Sequence, residues 1–359
     1  MTTFRNLSQP TGRTIHMDGR SCHFFGGTAY LGLLDNKDYI DLFKEGIDRY
    51  GLNNGTSRTN NVQLGIYAEA ERFMAGRFGF EDAVLLSSGY LAAQVAVKSL
   101  VENRSVFYAP GAHPSLWIAE DPKVGLSFSA WKTEVVDKIN NSSESDFVII
   151  SNAIDNLTPE LFDFSDFQNI AEDKNVLLIL DDSHGIGVLK KNALSTDLRV
   201  LRSMENIEIV VLASLAKGLG TDAGVVLGNA ATLEKIRKHP IYMGASPSSP
   251  AALYALVHGN RIYEAAFDKL HQNIDIAKAL FSNLEGYHNI HNIPNFPVFT
   301  SHDPNLYRYL VQHRVLISSF PYPLPTSPLL NRIVISALHE ESDISHLAEV
   351  LMSQHRLKL

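Results

Sequence analysis

The chain has 359 residues, with 31 lysines and arginines against 39 aspartates and glutamates, and a single cysteine, Cys22. Hydrophobic residues make up 45% of it, which excludes disorder, and the length predicts about two domains. A formal charge of −8 argues against a general nucleic-acid binder, one cysteine excludes an internal disulfide and a cysteine-clustered zinc site, and no apolar run is long enough to span a membrane. Residues 1–13 carry no charged-then-apolar leader, which predicts a soluble cytoplasmic protein.

Between residues 83 and 228, short runs rich in Val, Ile and Leu alternate with helical patterns. The candidate strands are 84–86, 105–108, 126–129, 147–151, 176–180, 207–212 and 223–227, with helices such as 90–100 and 164–173 between them. This alternation predicts an α/β fold with a mostly parallel seven-stranded sheet between helices. A long helical stripe follows from about 249 to 284, carried by Leu253, Leu256, Ile262, Ala266, Leu270, Ile274, Ala277 and Phe281. The tail changes rhythm. Strands at 297–301, 315–318 and 332–336, helices near 305–313 and from 340 to about 355, and a proline-rich loop at 320–328 predict a small C-terminal α+β unit.

Three segments carry chemistry. Ser87-Ser88-Gly89-Tyr90 follows a strand and opens a helix. It reads either as a phosphate cradle at a helix N-terminus or as an ordinary serine-capped turn. Asp181-Asp182-Ser183-His184-Gly185 ends the strongest strand, where ligands of α/β sheets sit. Asp181 could hold a proton on a ring nitrogen and His184 could donate to an oxygen; a metal site lacks a second ligand pair. Ser214-Leu215-Ala216-Lys217-Gly218 follows another buried strand, and Lys217 there is either a desolvated Schiff-base nucleophile or a solvated lysine in a glycine turn. A phosphate-binding Gly-x-x-x-x-Gly-Lys-Ser/Thr loop is absent. Together, the cradle, the acid and the lysine are what pyridoxal 5′-phosphate (PLP) requires, with acid and lysine 36 residues apart (181 to 217).

The chain resembles the α-oxoamine synthase family of fold type I PLP enzymes, which includes 8-amino-7-oxononanoate synthase, glycine C-acetyltransferase, serine palmitoyltransferase and 5-aminolevulinate synthase. The resemblance runs from about Tyr30 to the C-terminus. It is carried in order by Tyr30-Leu31-Gly32-Leu33, Gly55-Thr56-Ser57-Arg58, Ser87-Ser88-Gly89-Tyr90, Ala112-His113-Pro114-Ser115, Asp181-Asp182-Ser183-His184-Gly185, Ser214 to Lys217, and Arg332 with Ser336-Ala337-Leu338-His339. It implies a large PLP-binding domain over 51–250, a linking helix over 251–284 and a small domain over 285–359, to which residues 1–50 contribute.

The resemblance also implies roles. Lys217 holds the cofactor aldehyde and moves protons at the substrate Cα. Asp181 pairs with the pyridine nitrogen, His184 bonds the phenolic oxygen, and His113 stacks on the ring. Ser88, Gly89, Tyr90 and Ser214 hold phosphate. Arg332 takes the amino-acid carboxylate, and Thr28 lies near the substrate. The implied activity condenses a small amino acid with an acyl-CoA or acyl thioester, in a homodimer with interface active sites. Three positions depart from the family pattern. Thr28 replaces an asparagine, 151–158 replaces a segment with a glutamate and a serine, and Gly244 stands where a neighbouring subunit usually offers Ser or Thr to phosphate. The altered 151–158 segment keeps a PLP aminotransferase or aldolase of the same fold as the second reading, with a non-catalytic partner subunit as the third.

Overall fold

The computed structural model describes residues 6–17, 19–282, 290–321 and 326–356. An antiparallel hairpin, β1 (Thr14–Met17) and β2 (Arg20–Phe25), leads into α1 (Lys37–Tyr50) and α2 (Gly65–Phe78). Then come β3 (Asp82–Leu86), α3 (Gly89–Leu100), β4 (Ser105–Tyr108), α4 (Phe128–Asn140), β5 (Asp146–Asn152), and a two-residue pairing of β6 (Ile154–Asp155) with β7 (Glu160–Leu161). The next elements are β8 (Asn175–Asp181), α5 (Arg199–Arg202), β9 (Ile207–Ser214) and β10 (Gly224–Gly228).

The central sheet has the order β3-β10-β9-β8-β5-β4. β4, β5, β8 and β9 pair in parallel, and β10 runs antiparallel to both β9 and β3. The Val/Ile/Leu runs follow from double-sided burial. Val148, Ile150, Leu177, Ile179, Val210 and Leu212 face one apolar layer with α3, while Ile149, Leu178, Leu180 and Val211 face the other. Successive side chains alternate sides, so neither face of these strands is left for polar residues.

The sheet holds six strands, where seven were predicted. The run at 126–129 is the start of α4: Ser127 caps it through the Ala130 N–H (3.3 Å), and Phe128, Trp131, Val135 and Ile139 are buried at helical spacing. The predicted helix 164–173 is a 3₁₀ turn, Ser165–Asn169.

Downstream lie α6 (Ala230–Lys238), α7 (Pro240–Gly244), α8 (Pro250–His258) and α9 (Asn260–Phe281). The single helix predicted from 249 to 284 is therefore broken at Gly259. A Cβ there would sit 2.7 Å from the Ala255 carbonyl oxygen and 3.1 Å from the Tyr39 ring of α1, so only glycine fits the packed joint. Leu253, Leu256, Ala266, Leu270, Ile274, Ala277 and Phe281 are buried, as their periodicity predicts, and Ile262 is half-buried. Leu284 lies outside the described residues.

The chain ends with β11 (Val298–Ser301), α10 (Leu306–Gln312), β12 (Val315–Pro321), β13 (Leu329–Val334) and α11 (Glu341–Arg356). Here the second sheet forms in the order β1-β2-β12-β13-β11, with β2 and β12 parallel. The proline-rich stretch predicted as a loop from 320 starts later, because β12 continues through Pro321; residues 322–325 lie outside the described ones.

Candidate active site

The C-terminal ends of β5, β8 and β9 stop side by side, with Asn152 in register with Asp181 and Asp181 with Leu212. The N-terminus of α3 comes down on the same edge. Ser88 is its N-cap, accepting from the Leu91 N–H at 3.2 Å. A Cβ on Gly89 would lie 2.4 Å from Ser214 Cβ, and one on Gly224 would lie 2.2 Å from the Ser88 carbonyl oxygen. Glycine at both positions lets the helix seat directly on the strand ends. The first N–H groups of α3, at Gly89 and Tyr90, have no intrahelical acceptor and form an anion site with the helix dipole behind it. The Tyr90 side chain is exposed, so only its backbone serves that site.

The ends of β5 and β8 open on a cavity of about 640 Å³, within the range of ligand pockets. His113, Asp181, His184 and Lys217 all line it, together with Asn152, Asp155, Trp117 and Phe320. Burial lowers the Lys217 pKa; Asp181 opposes that shift and Arg332 adds to it. A lysine so placed is easier to deprotonate than one in water, as a nucleophilic amine requires. Asp181 Oδ1 accepts the Ser183 N–H at 2.9 Å, and the Ser183 hydroxyl accepts the Ser214 N–H at 2.7 Å, so the acid and the lysine loop share one set of bonds.

His184 is held through Nδ1 by the Tyr30 hydroxyl at 2.8 Å. Burial drives His184 well below the ordinary histidine value, and Lys217, Arg332 and His113 push the same way, so the ring is neutral. His113 caps the short turn Pro114–Leu116: its Nδ1 accepts the Ser115 N–H at 3.2 Å and lies 2.7 Å from the Ser115 hydroxyl. The side chain of Asn152 accepts the His113 N–H (3.2 Å) and donates to the Gly111 carbonyl (2.8 Å), which pins the backbone that carries the ring.

Arg332, on β13 of the second sheet, is 5% exposed and is not among the residues lining the cavity. It acts on Tyr30 through charge and a hydrogen bond, and its charge is felt by Asp155, His184 and Lys217. Its Nε and Nη2, the two donors of one fork, have no hydrogen-bond partner among the described residues. Thr28 is half-buried two residues from Tyr30 and is not among the residues lining the cavity. Gly244 ends α7 in an exposed position outside the cavity, with nothing within 4 Å of a Cβ built there.

The structure thus brings His113, Asp181, His184 and Lys217 onto one cavity; Gly89 packs on Ser214, three residues before Lys217, while Ser88, Gly89, Tyr90 and Ser214 are not among the residues lining it. Sequence reading gave Tyr30 no place in the site, although the Tyr-Leu-Gly motif contains it. It also overlooked the part played by Asn152 and Asp155; the only sequence signal there was the departure of 151–158 from the family pattern.

This donor set fits PLP. A desolvated amine, a carboxylate tied to the same loop, a neutral imidazole and a second imidazole line one cavity, and the cavity leaves room for a second molecule. Among the described residues no group of three or more His, Cys, Asp or Glu could hold a metal, and no helix is long and apolar enough to cross a membrane.

Residues 29–351 match the family model for aminotransferase class I and II. An 8-amino-7-oxononanoate synthase from Aliivibrio fischeri is 27% identical, over 97% of this chain and 92% of its own length. A solved chain of SPT with PLP superposes with a TM-score of 0.83 at 16% identity, covering 98% of this chain and 92% of that one. The 8-amino-7-oxononanoate synthase of Francisella tularensis superposes with a TM-score of 0.69 at 18% identity, over 94% of this chain and 98% of that one.

Proposed function

The chain belongs to the aminotransferase class I and II family, with the resemblance to its α-oxoamine synthases upheld, and from that premise we propose that it is a PLP-dependent acyltransferase. It condenses a small α-amino acid with an acyl-CoA or other acyl thioester and releases carbon dioxide. The observation that carries this reading is the convergence of Lys217, Asp181, His184 and His113 on one cavity.

Bound PLP supplies an electron sink for the bonds at the substrate Cα. Lys217 would anchor the cofactor and then move a proton at Cα, burial making its amine easier to deprotonate. Asp181 keeps a proton on the ring nitrogen, and His184, neutral and oriented by Tyr30, bonds the phenolic oxygen. His113, its orientation set by Ser115 and Asn152, would stack on the ring. The backbone of Gly89 and Tyr90, with Ser214, holds phosphate. The unpartnered fork of Arg332 takes the substrate carboxylate, because its two parallel donors match two carboxylate oxygens. The apolar part of the cavity wall, including Trp117, Val124 and Phe320, receives the acyl group.

A homodimer completes the site. Exposed Leu52, Val62, Tyr90 and Met243 are the apolar surface for it; Thr59 bonds the Met243 carbonyl and Ser249 the Leu52 carbonyl, which ties these loops together.

Loss of the Cα proton to deuterium oxide, followed by NMR for glycine, L-alanine and L-serine, tests this reading. Exchange that needs PLP and vanishes in Lys217→Ala supports it. Accumulation of the corresponding oxo acid instead marks an aminotransferase, and the acyltransferase reading then fails.

A further inference from the structure

We propose that Asp155 reads a hydrogen-bond donor on the side chain of the amino-acid substrate, so that β-hydroxyl or β-ammonium amino acids are preferred over alanine. This rests on the amino-acid reading above and names the substrate class within it.

Asp155 lines the same cavity as Lys217, on the short β6 strand that follows Asn152. Its Oδ1 accepts the N–H groups of Leu157 (2.8 Å) and Thr158 (3.1 Å), so the backbone fixes the carboxyl in place. Its Oδ2 accepts no hydrogen bond from the described residues. Among the described residues no cation forms an ion pair with the carboxyl. His291 acts on it through space but spends Nε2 on the Pro159 carbonyl at 2.9 Å, and Arg332 acts on it while its own Nε and Nη2 stay unpartnered.

The turn alone does not account for a carboxylate. An asparagine at 155 would cap the Leu157 and Thr158 N–H groups equally well and would bury no charge. Burial raises the Asp155 pKa above the usual carboxylate value, which is the sign of a charge held where solvent serves it poorly. The neighbouring wall includes the apolar Ile154, Leu157 and Phe320, and Asn152 and Asn156 are the polar side chains nearest in the chain. The Arg332 charge acts on Asp155 as it does on Lys217, so the three groups share one electrostatic neighbourhood. A donor on the substrate side chain is the partner that the free Oδ2 would take. A cavity-lining acceptor with no other partner discriminates against the analogue that lacks the donor, because the acceptor is then left unpaired.

The test is a titration of the PLP-loaded protein with L-alanine, L-serine and L-2,3-diaminopropionate, read as the change in cofactor absorbance, in wild type and Asp155→Asn. The wild type is expected to bind serine or diaminopropionate at least about tenfold tighter than alanine. Asp155→Asn is expected to collapse that ratio toward one. Diaminopropionate ahead of serine identifies a cationic side chain, and the reverse order a hydroxyl. Alanine binding as tightly as both in the wild type overturns the proposal and leaves the amino-acid reading standing. So does a preference that survives in Asp155→Asn. If none of the three amino acids perturbs the spectrum, both readings fall. The wild-type ratio decides even where the variant does not fold.

Discussion

Lys217 sits where burial and the Arg332 charge both favour its neutral amine, and Asp181 holds the opposite charge within the same bond set. Lys217→Ala is therefore expected to abolish covalent attachment of PLP, read as loss of any borohydride-reducible adduct in the mass spectrum; an adduct that persists would move the anchor to another lysine. Asp181→Asn is expected to leave the fold intact and to cut turnover by orders of magnitude, since an amide does not hold the proton on a pyridine nitrogen. Turnover within a few-fold of wild type would remove Asp181 from that role. Arg332→Lys replaces a two-donor fork by a point charge and is expected to weaken amino-acid binding by about ten- to a hundredfold, from roughly 1.5–3 kcal/mol, with PLP affinity nearly unchanged. Equal amino-acid dissociation constants would take Arg332 out of the substrate site. These residues were legible in the sequence because each lies on a strand or at a strand end within a short recognisable motif. Tyr30, Asn152 and Asp155 were not assigned roles because theirs arise only in three dimensions. Tyr30 reaches His184 across 154 positions of the chain, and Asn152 reaches back to Gly111 and His113.

At the scale of elements, the Val/Ile/Leu runs located six strands of the central sheet, because burial on both faces leaves a continuous apolar signature. The same signature misled at 126–129, where two apolar residues around Ser127 are a helix start, and the helix is recognised only by Trp131, Val135 and Ile139 further on. The break at Gly259 was hidden for a different reason: the apolar stripe continues through it, and what crowds a side chain there is the Ala255 carbonyl of α8 together with the Tyr39 ring of α1. The approach of α3 to β9 gives a sharp expectation. In Gly89→Ala the new Cβ would lie 2.4 Å from Ser214 Cβ and 2.6 Å from its Cα, so the helix or the strand end must move and the phosphate cradle with it. PLP affinity should fall at least about tenfold in a fluorescence titration, the cost of about one charge-assisted hydrogen bond; unchanged affinity would place the phosphate elsewhere.

The second sheet is closed by His339, whose Nδ1 accepts the Ser336 N–H (3.0 Å) while Nε2 reaches the Phe24 carbonyl (3.0 Å) on β2. Burial lowers its pKa from 6.5 to about 4. The folded form then binds fewer protons than the unfolded chain between those values, so stability is complete above pH 6.5 and is lost as pH falls toward 4. For this one group the loss reaches about 3 kcal/mol. Thermal unfolding of His339→Gln should show a shallower fall over that window than wild type; an identical slope would mean the acid limb belongs to other groups.

For the whole molecule, the N-terminal hairpin packs into the C-terminal sheet, so the two ends of the chain build one layer while the middle builds the other. Arg13 clamps this arrangement by donating from Nε and its Nη2 to the two oxygens of Asp343 on α11, at 2.6 and 2.9 Å. The sequence located each C-terminal strand, yet a partner from residues 14–25 could not be read from a local pattern, because β2 meets β12 across nearly the full length of the chain. The exposed apolar residues on the 51–64 and 240–249 segments predict a homodimer, and sedimentation equilibrium at micromolar concentration should give twice the chain mass. A monomer that binds PLP tightly would contradict a shared site.

The central claim is that this cavity joins an amino acid to an acyl thioester, and simultaneous measurement of free thiol and carbon dioxide tests it most directly. The PLP-loaded protein supplied with an amino acid and an acyl-CoA is expected to release both in equal amounts, only when both substrates are present, and not at all in Lys217→Ala. Thiol released without the amino acid, or an oxo acid formed without thiol, would contradict the account.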